Sequence, residues 1–282
     1  MNKLIGRRYN IYEKLGHGNF GSVYKGKHSK HNTDVAIKLE SIYTKIKLLK
    51  HETTILKYLY EHNTRNIPAI YWYGIYNENV CLVMTLYDCS LYEYIHSRND
   101  VDISDSKIKS IIYQLVNILH SVHDNSVIHR DIKPQNIMIK NGDLYLIDFG
   151  FSTFYIDADG EHAIDTCCDE IIGSPKYVSY HIHSGSIASR RDDLISLGYL
   201  YLFLHDRLLP WENIQDDVTN DDGYSETSIY YYKNILRQKL KEPSTILNKA
   251  QNANHTLYNY LKYVYSLSYE ETPNYHAIIT IY

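Results

Sequence analysis

The chain has 282 residues, 44% of them hydrophobic and 22% charged, which supplies one large core or two small ones and excludes a globally disordered chain. With 29 basic residues against 33 acidic ones the net charge is −4, which argues against nucleic acid as a partner. The longest uncharged apolar run, 197–204, falls far short of the ~20 residues of a membrane span.

The basic N-terminus is not followed by an apolar stretch, so no secretory leader is expected and the protein is placed inside the cell, in cytoplasm or nucleus. Cys81, Cys89, Cys167 and Cys168 match neither a disulfide framework nor a zinc set and are read as reduced thiols. The 30 tyrosines, with many Ile, Asn and Lys, are the composition of an AT-rich source such as a large DNA virus or a protist.

In chain order, residues 9–15, 22–27 and 34–39 are predicted as three strands of an antiparallel meander. A helix over 45–61 and two strands over 70–73 and 80–85 complete an α+β lobe, a five-stranded sheet with one helix. Beyond Ser90 the period changes. Ile108, Ile111, Ile112, Leu115, Ile118, Leu119 and Val122 recur at helical spacing, with Ser104 as the N-cap. Asn141-Gly142 between two apolar runs signals a tight hairpin, since both turn residues must accept a positive φ. Residues 192–204 have the all-round apolar pattern of a helix buried on every side. The remainder reads as helices with loops, the longest over 215–223. The expected architecture is a single domain over 1–282, with a sheet lobe over 9–86, a mainly helical lobe over 87–282 and a ligand cleft between them.

Three segments carry chemistry. Gly16-His17-Gly18-Asn19-Phe20-Gly21-Ser22-Val23 lies between the first two strands, where missing side chains let backbone N–H groups approach phosphate oxygens. A plain glycine turn is the alternative, and the strand that follows departs from a dinucleotide fold, which would place a helix there. Lys38 ends Val35-Ala36-Ile37-Lys38, and Glu52 follows fourteen residues later in the helix. Each alone suits a solvated surface; together, after a glycine loop, they suit an ion pair holding a lysine against phosphates. The third segment is His129-Arg130-Asp131-Ile132-Lys133-Pro134-Gln135-Asn136, with Asp148-Phe149-Gly150 seventeen residues after Asp131.

These segments resemble those of eukaryotic-type protein kinases. The resemblance implies a bilobal kinase fold and Mg²⁺-dependent transfer of the ATP γ-phosphoryl group to proteins. In it Asp131 would accept the proton of the attacking hydroxyl, Lys133 would neutralise the moving group, Lys38 would hold the nucleotide, and Asn136 and Asp148 would hold two Mg²⁺ ions. A lysine two residues after the catalytic aspartate is similar to the serine/threonine-kinase pattern. Gly173-Ser174-Pro175-Lys176-Tyr177-Val178-Ser179, Ser189-Arg190-Arg191-Asp192-Asp193-Leu194, Leu209-Pro210-Trp211 and Glu271-Thr272-Pro273-Asn274-Tyr275 narrow the resemblance to the casein kinase 1 family, over Tyr9 to Tyr282. By that resemblance the nucleotide would meet Gly16, Gly18, Asn19, Gly21, Val23, Ala36 and Glu52, with Met84 as gatekeeper. Leu86 and Tyr87 would give hinge backbone contacts, Ser90 and Glu93 would reach the ribose, and Asp193 would hydrogen-bond the catalytic-loop backbone. A monomer acting on protein substrates, with neither nucleic acid nor membrane as partner, is expected.

The chain also departs from that family. Residues 150–173 carry six acidic residues, Asp157, Asp159, Glu161, Asp165, Asp169 and Glu170, and no Lys or Arg, where the family is basic and prefers acidic or phosphorylated substrates. This is either a solvated loop or a rim that steers basic or neutral peptides. Lys176 replaces the family's arginine in its phosphate pocket, and Asp216, Asp217, Asp221 and Asp222 interrupt the second basic element, where Lys233 is a candidate replacement. Ser174 stands where a structural hydroxyl contacts the catalytic loop; Thr166 is the other candidate for phosphorylation beside Arg130. Tyr230-Tyr231-Tyr232 reads as packing rather than a base-stacking strip. Two competing readings are a pseudokinase scaffold and a small-molecule phosphotransferase. The full set Lys38, Glu52, Asp131, Asn136 and Asp148 disfavours the first, and Lys133 with 173–179 disfavours the second. Constitutive activity is expected.

Overall fold

A computed structural model describes residues 4–18, 21–97, 103–168, 170–212 and 226–281. The chain divides into two compact units, Met1–His96 with Gln135–Ser152, and Ser97–Pro134 with Thr153–Tyr282. Residues 87–96 and 135–152, expected with the helical lobe, thus group with the sheet. The short strand Cys89–Ser90 bonds the strand Ile137–Lys140, and Asn66 ties the hairpin to the rest of the unit, donating from Nδ2 to the Leu144 carbonyl at 2.8 Å.

In the first unit β1 (Tyr9–Gly18), β2 (Gly21–His28), β3 (Asp34–Ser41), β4 (Ile70–Tyr76) and β5 (Asn79–Thr85) form an antiparallel sheet of order β1-β2-β3-β5-β4. The expected sheet is present with longer strands. Pairing runs on from Gly16↔Val23 to Gly18↔Gly21, so the first two glycines of the glycine segment belong to a strand. Period-two alternation places Val35 and Ile37 of β3 in a cluster with Ile5, Tyr9, Cys81 and Val83, which leaves Ala36 and Lys38 on the other face. Helix α1 (Leu48–Glu61) begins three residues later than expected. The Thr44 N–H and the Tyr43 N–H are spent on a turn around Ser41, donating to its carbonyl and hydroxyl at 3.2 Å each. The α1 stripe Leu49, Ile55, Leu56 and Leu59 is buried, and Glu52 lies on that same buried side.

Helix α2 (Leu91–His96) and the hairpin Ile137–Lys140/Asp143–Leu146 complete the unit. Asn141 and Gly142 have φ of 54° and 90°, the left-handed pair that the Asn-Gly turn requires.

The second unit holds α3 (Asp105–Asp124), α4 (Tyr180–His183), α5 (Arg190–Asp206), α6 (Glu226–Lys241), α7 (Pro243–Ala253), α8 (His255–Ser266) and α9 (Tyr275–Thr280). Ser104 caps α3 as expected, accepting from the Lys107 N–H at 3.4 Å. Helix α5 is the core of the unit: every residue from Arg190 to Leu204 is buried. Gly198 allows α8 its approach, since a Cβ there would stand 2.5 Å from Leu261 and 3.0 Å from Tyr260. The expected long loop over 215–223 lies outside the described residues. No helix among the described residues is long and apolar enough to cross a membrane.

The hairpin turn gives a direct test of the fold. Gly142→Ala forces a Cβ onto φ of 90° and is expected to cost about 1 kcal/mol, read as a lower midpoint in denaturant unfolding.

Candidate active site

A cavity of ≈ 490 Å³ lies within the first unit, inside the ~300–1,000 Å³ range of small-molecule sites. Its walls include Gly16, Gly21, Val23, Ala36, Lys38, Glu52, Met84, Leu86, Tyr87, Ser90, Glu93 and Asp148, which the sequence singled out from distant positions. Leu15, Thr85, Met138 and Ile147 also line it and were not anticipated. Ile147 stands next to Asp148, a signal that was available. Nothing in the linear order says that the hairpin bearing Met138 forms part of the wall. Gly18 ends β1 opposite Gly21, and Asn19 lies outside the described residues.

The two cavity-lining glycines differ in what they do. A Cβ on Gly21, at φ 124°, would fall 1.9 Å from the Leu39 carbonyl oxygen, so the sheet itself demands glycine there. A Cβ on Gly16 would meet nothing within 4 Å, which is open room for a ligand on the cavity wall.

Lys38 reaches the cavity from β3 and is clamped by two carboxylates. Its Nζ donates to Glu52 Oε2 at 2.7 Å and to Asp148 Oδ1 at 2.9 Å. Burial works against its charge, but Glu52 and Asp148 outweigh that and hold Lys38 above its ordinary pKa. Burial pushes the Glu52 carboxyl up, opposed by Lys38 and the Phe149 N–H. A buried cation facing two carboxylates keeps its charge, and Asp148 is the less buried of the two carboxylates. Asp148 has φ of 66°, a left-handed conformation that is uncommon outside glycine and is held by its surroundings. Asn136 is buried, and its backbone carbonyl accepts from the Ile147 N–H at 2.9 Å, beside Asp148 in sequence. The Asp148 carboxylate and the Asn136 side-chain amide oxygen are hard oxygen donors of the kind that could hold Mg²⁺.

Three residues expected at the nucleotide make bonds within the protein. The Leu86 carbonyl accepts from Lys140 Nζ at 2.9 Å, so that oxygen is turned to the hairpin. Ser90 and Glu93 form a capping box at the start of α2: Glu93 Oε2 accepts from the Ser90 N–H at 2.7 Å and from its hydroxyl at 2.9 Å.

In the second unit Asp131 and Lys133 meet Ser174. Lys133 Nζ donates to Asp131 Oδ2 at 2.6 Å and to Ser174 Oγ at 2.9 Å, and the Ser174 N–H donates to Asp131 Oδ1 at 3.0 Å. Gly173, at φ 101°, brings this segment against the Arg130 carbonyl, where a Cβ would stand 2.3 Å away. Asp193 fixes the segment before Asp131, accepting from the His129 and Arg130 N–H groups at 2.7 and 2.8 Å. His123, not anticipated from sequence, donates from Nε2 to Asp193 Oδ2 at 2.9 Å and meets the Tyr275 hydroxyl through Nδ1. Burial opposes the Asp193 charge, yet these donors hold its carboxyl below the ordinary value. Next to it, Asp192 accepts from Ser179 Oγ at 2.5 Å and from the Ser189 N–H at 2.8 Å. Burial dominates there and pushes its carboxyl up to about 6.

Asp157, Asp159, Glu161, Asp165 and Glu170 are exposed, and Asp169 lies outside the described residues. Asp157 Oδ1 accepts from the Asp159 and Glu161 N–H groups at 2.9 and 3.0 Å, which fixes one turn of this acidic segment. Lys176 is ion-paired with Glu212 and covers the Phe203 ring at 4.8 Å from its centroid. Asp216, Asp217, Asp221 and Asp222 lie outside the described residues, and Lys233 lies on α6.

The protein kinase domain model matches residues 9–268. In fold the chain is similar to a solved structure of vaccinia related kinase 3, with a TM-score of 0.75 and 22% identity, over 98% of this chain and 86% of that one.

The raised Asp192 carboxyl sets a pH dependence. Its folded pKa of about 6 exceeds the ordinary 3.8, so its contribution to stability is complete below about pH 3.8 and is lost as pH rises through 6. Asp192→Asn removes that titration. The stability deficit of the variant relative to wild type is expected to shrink between pH 4 and 6, measured by urea unfolding at a series of pH values.

Proposed function

The chain belongs to the protein kinase domain family, and on that premise we propose that it is a serine/threonine kinase of casein kinase 1 type that phosphorylates proteins from ATP. One observation carries the hydroxyl-directed reading: Lys133 Nζ lies between the Asp131 carboxylate and the Ser174 hydroxyl. A carboxylate has about four acceptor sites, so Asp131 can bond Lys133 and Ser174 and still take the proton of an incoming hydroxyl.

The nucleotide is assigned to the cavity of the first unit. Its base would pack against Val23, Ala36, Met84 and Ile147, and its phosphates would pass Gly16 and Gly21 to Lys38. Glu52 keeps Lys38 extended toward the phosphates. Asn136 and Asp148 would hold Mg²⁺, which would supply neutralising charge on the phosphate oxygens. As the acceptor oxygen bonds to the γ-phosphorus, its proton passes to Asp131, the bond to the β-phosphate oxygen breaks and ADP leaves. Lys133 offsets the charge of the moving group. Orientation contributes more here than strong basicity, because the transition state is loose.

The charge of the second unit supports a preference for basic or neutral peptides. The exposed carboxylates of 157–170 repel an acidic substrate. Lys176 spends its cation on Glu212 and so is a poor receptor for a phosphate group already on the peptide.

Phosphate transfer from labelled ATP to a positional peptide library tests this. Wild-type protein is expected to label Ser and Thr in basic or neutral contexts, and a strong preference for phosphorylated or acidic positions would overturn the specificity. Asp148→Ala is expected to abolish transfer, and Asp131→Asn to lower kcat by ~10²–10⁴-fold. Full activity in both variants would overturn the mechanism; ATP binding without transfer in wild type would favour a scaffold.

A further inference from the structure

Lys241, at the end of α6, is a fully buried amine that the reaction described above does not use, and burial with the nearby Arg237 holds its pKa well below the ordinary lysine value. Its Nζ donates to the carbonyls of Val178 and Pro175 at 2.6 and 2.9 Å and lies 3.1 Å from His183 Nε2. Two aromatic faces cover it, with Nζ 5.0 Å from the Tyr199 ring centroid and 4.9 Å from that of Trp211. Burying an ammonium is costly unless it is fully bonded. Residues 173–179 contain no Asp or Glu, so its partners in that segment are backbone carbonyls in place of a counter-charge. Trp211 adds a third tie, donating from Nε1 to the Lys176 carbonyl at 2.7 Å. Carbonyls 175, 176 and 178 are therefore held from one side, while Ser174 at the start of the same segment bonds Asp131 and Lys133.

We propose that Lys241, with Trp211, is a positioning residue for the acceptor peptide: it fixes the 175–178 backbone so that the segment beginning at Ser174 presents a rigid platform beside the phosphoryl-transfer residues. This rests on the kinase reading of Asp131 and Lys133. A packing role alone would lower the apparent kcat with either substrate varied, through the fraction of folded protein, and would leave both KM values unchanged. A platform role affects the peptide and leaves the nucleotide alone, because none of the cavity residues of the first unit is among Lys241's partners.

The test compares wild type, Lys241→Met and Trp211→Phe. The first keeps the stem and removes the Nζ donor from the Val178 and Pro175 carbonyls, of which Pro175 keeps His183 Nε2 at 3.2 Å, and the second keeps an aromatic ring and removes one donor. Steady-state kinetics are measured with a peptide and with ATP varied in turn, together with ATP hydrolysis in the absence of peptide and thermal unfolding. The expected result is a peptide KM raised about tenfold in Lys241→Met and about threefold in Trp211→Phe, as loss of one to two buried hydrogen bonds implies. The KM for ATP and the peptide-free ATP hydrolysis should stay within twofold. Equal losses in peptide and ATP parameters, or an unchanged peptide KM in folded variants, would overturn the proposal. If Lys241→Met does not fold, an unchanged peptide KM in Trp211→Phe overturns it alone. No peptide transfer by wild type would count against the kinase reading, which separates the two failures.

Discussion

The second unit is organised by two carboxylates that enter its core side by side at the start of α5. Asp193 turns to the segment before Asp131 and takes the His129 and Arg130 N–H groups, while Asp192 turns to Ser179 and Ser189. Neither charge would tolerate this depth unbonded, since a buried carboxylate without donors costs several kcal/mol. The donors are supplied by backbone that must run past this point, so the requirement to satisfy the carboxylates fixes the path of the chain on both sides of Ser174. Arg130, in the left-handed region at φ 69°, is one result: its N–H faces Asp193 and its carbonyl faces Gly173, whose missing side chain permits the approach.

The two aspartates have the same burial and opposite titration. Asp193 collects two N–H groups and His123, and its carboxyl is held down. Asp192 has a serine hydroxyl and one backbone N–H as its closest donors, and burial prevails. The number and charge of the donors decide between them. His123 is in turn tied to α9 through Tyr275, and the Tyr155 hydroxyl donates to its carbonyl at 2.8 Å, so the support for the segment before Asp131 extends to the end of the described chain.

The first unit follows the same logic with a cation at its centre. Lys38 is placed by strand alternation on the face opposite the Val35 and Ile37 cluster, and two carboxylates from α1 and from after the hairpin converge on it. Removing Lys38 would leave two carboxylates facing each other without a cation, which is why the three groups form a unit in function as well as in packing.

Much of this was legible in the sequence. Period-two and helical spacing identified the five strands, α1, α3 and α5; Asn141-Gly142 required its turn, because few other residues accept two positive φ angles in succession; and the segments around Lys38, Asp131 and Asp148 pointed to phosphoryl transfer by residue type and order. Boundaries shifted where local hydrogen bonds competed, as at Ser41, or where strand pairing absorbed glycines read as loop. Only the tertiary structure decided that the Leu86 carbonyl faces Lys140, that Glu212 pairs with Lys176, and that His123 and Lys241 serve as buried supports. The physical reason is common to all four. Periodicity and turn chemistry are written in neighbouring residues, whereas the pairing of a buried polar atom depends on which distant donor or acceptor the packed chain brings within 3 Å of it.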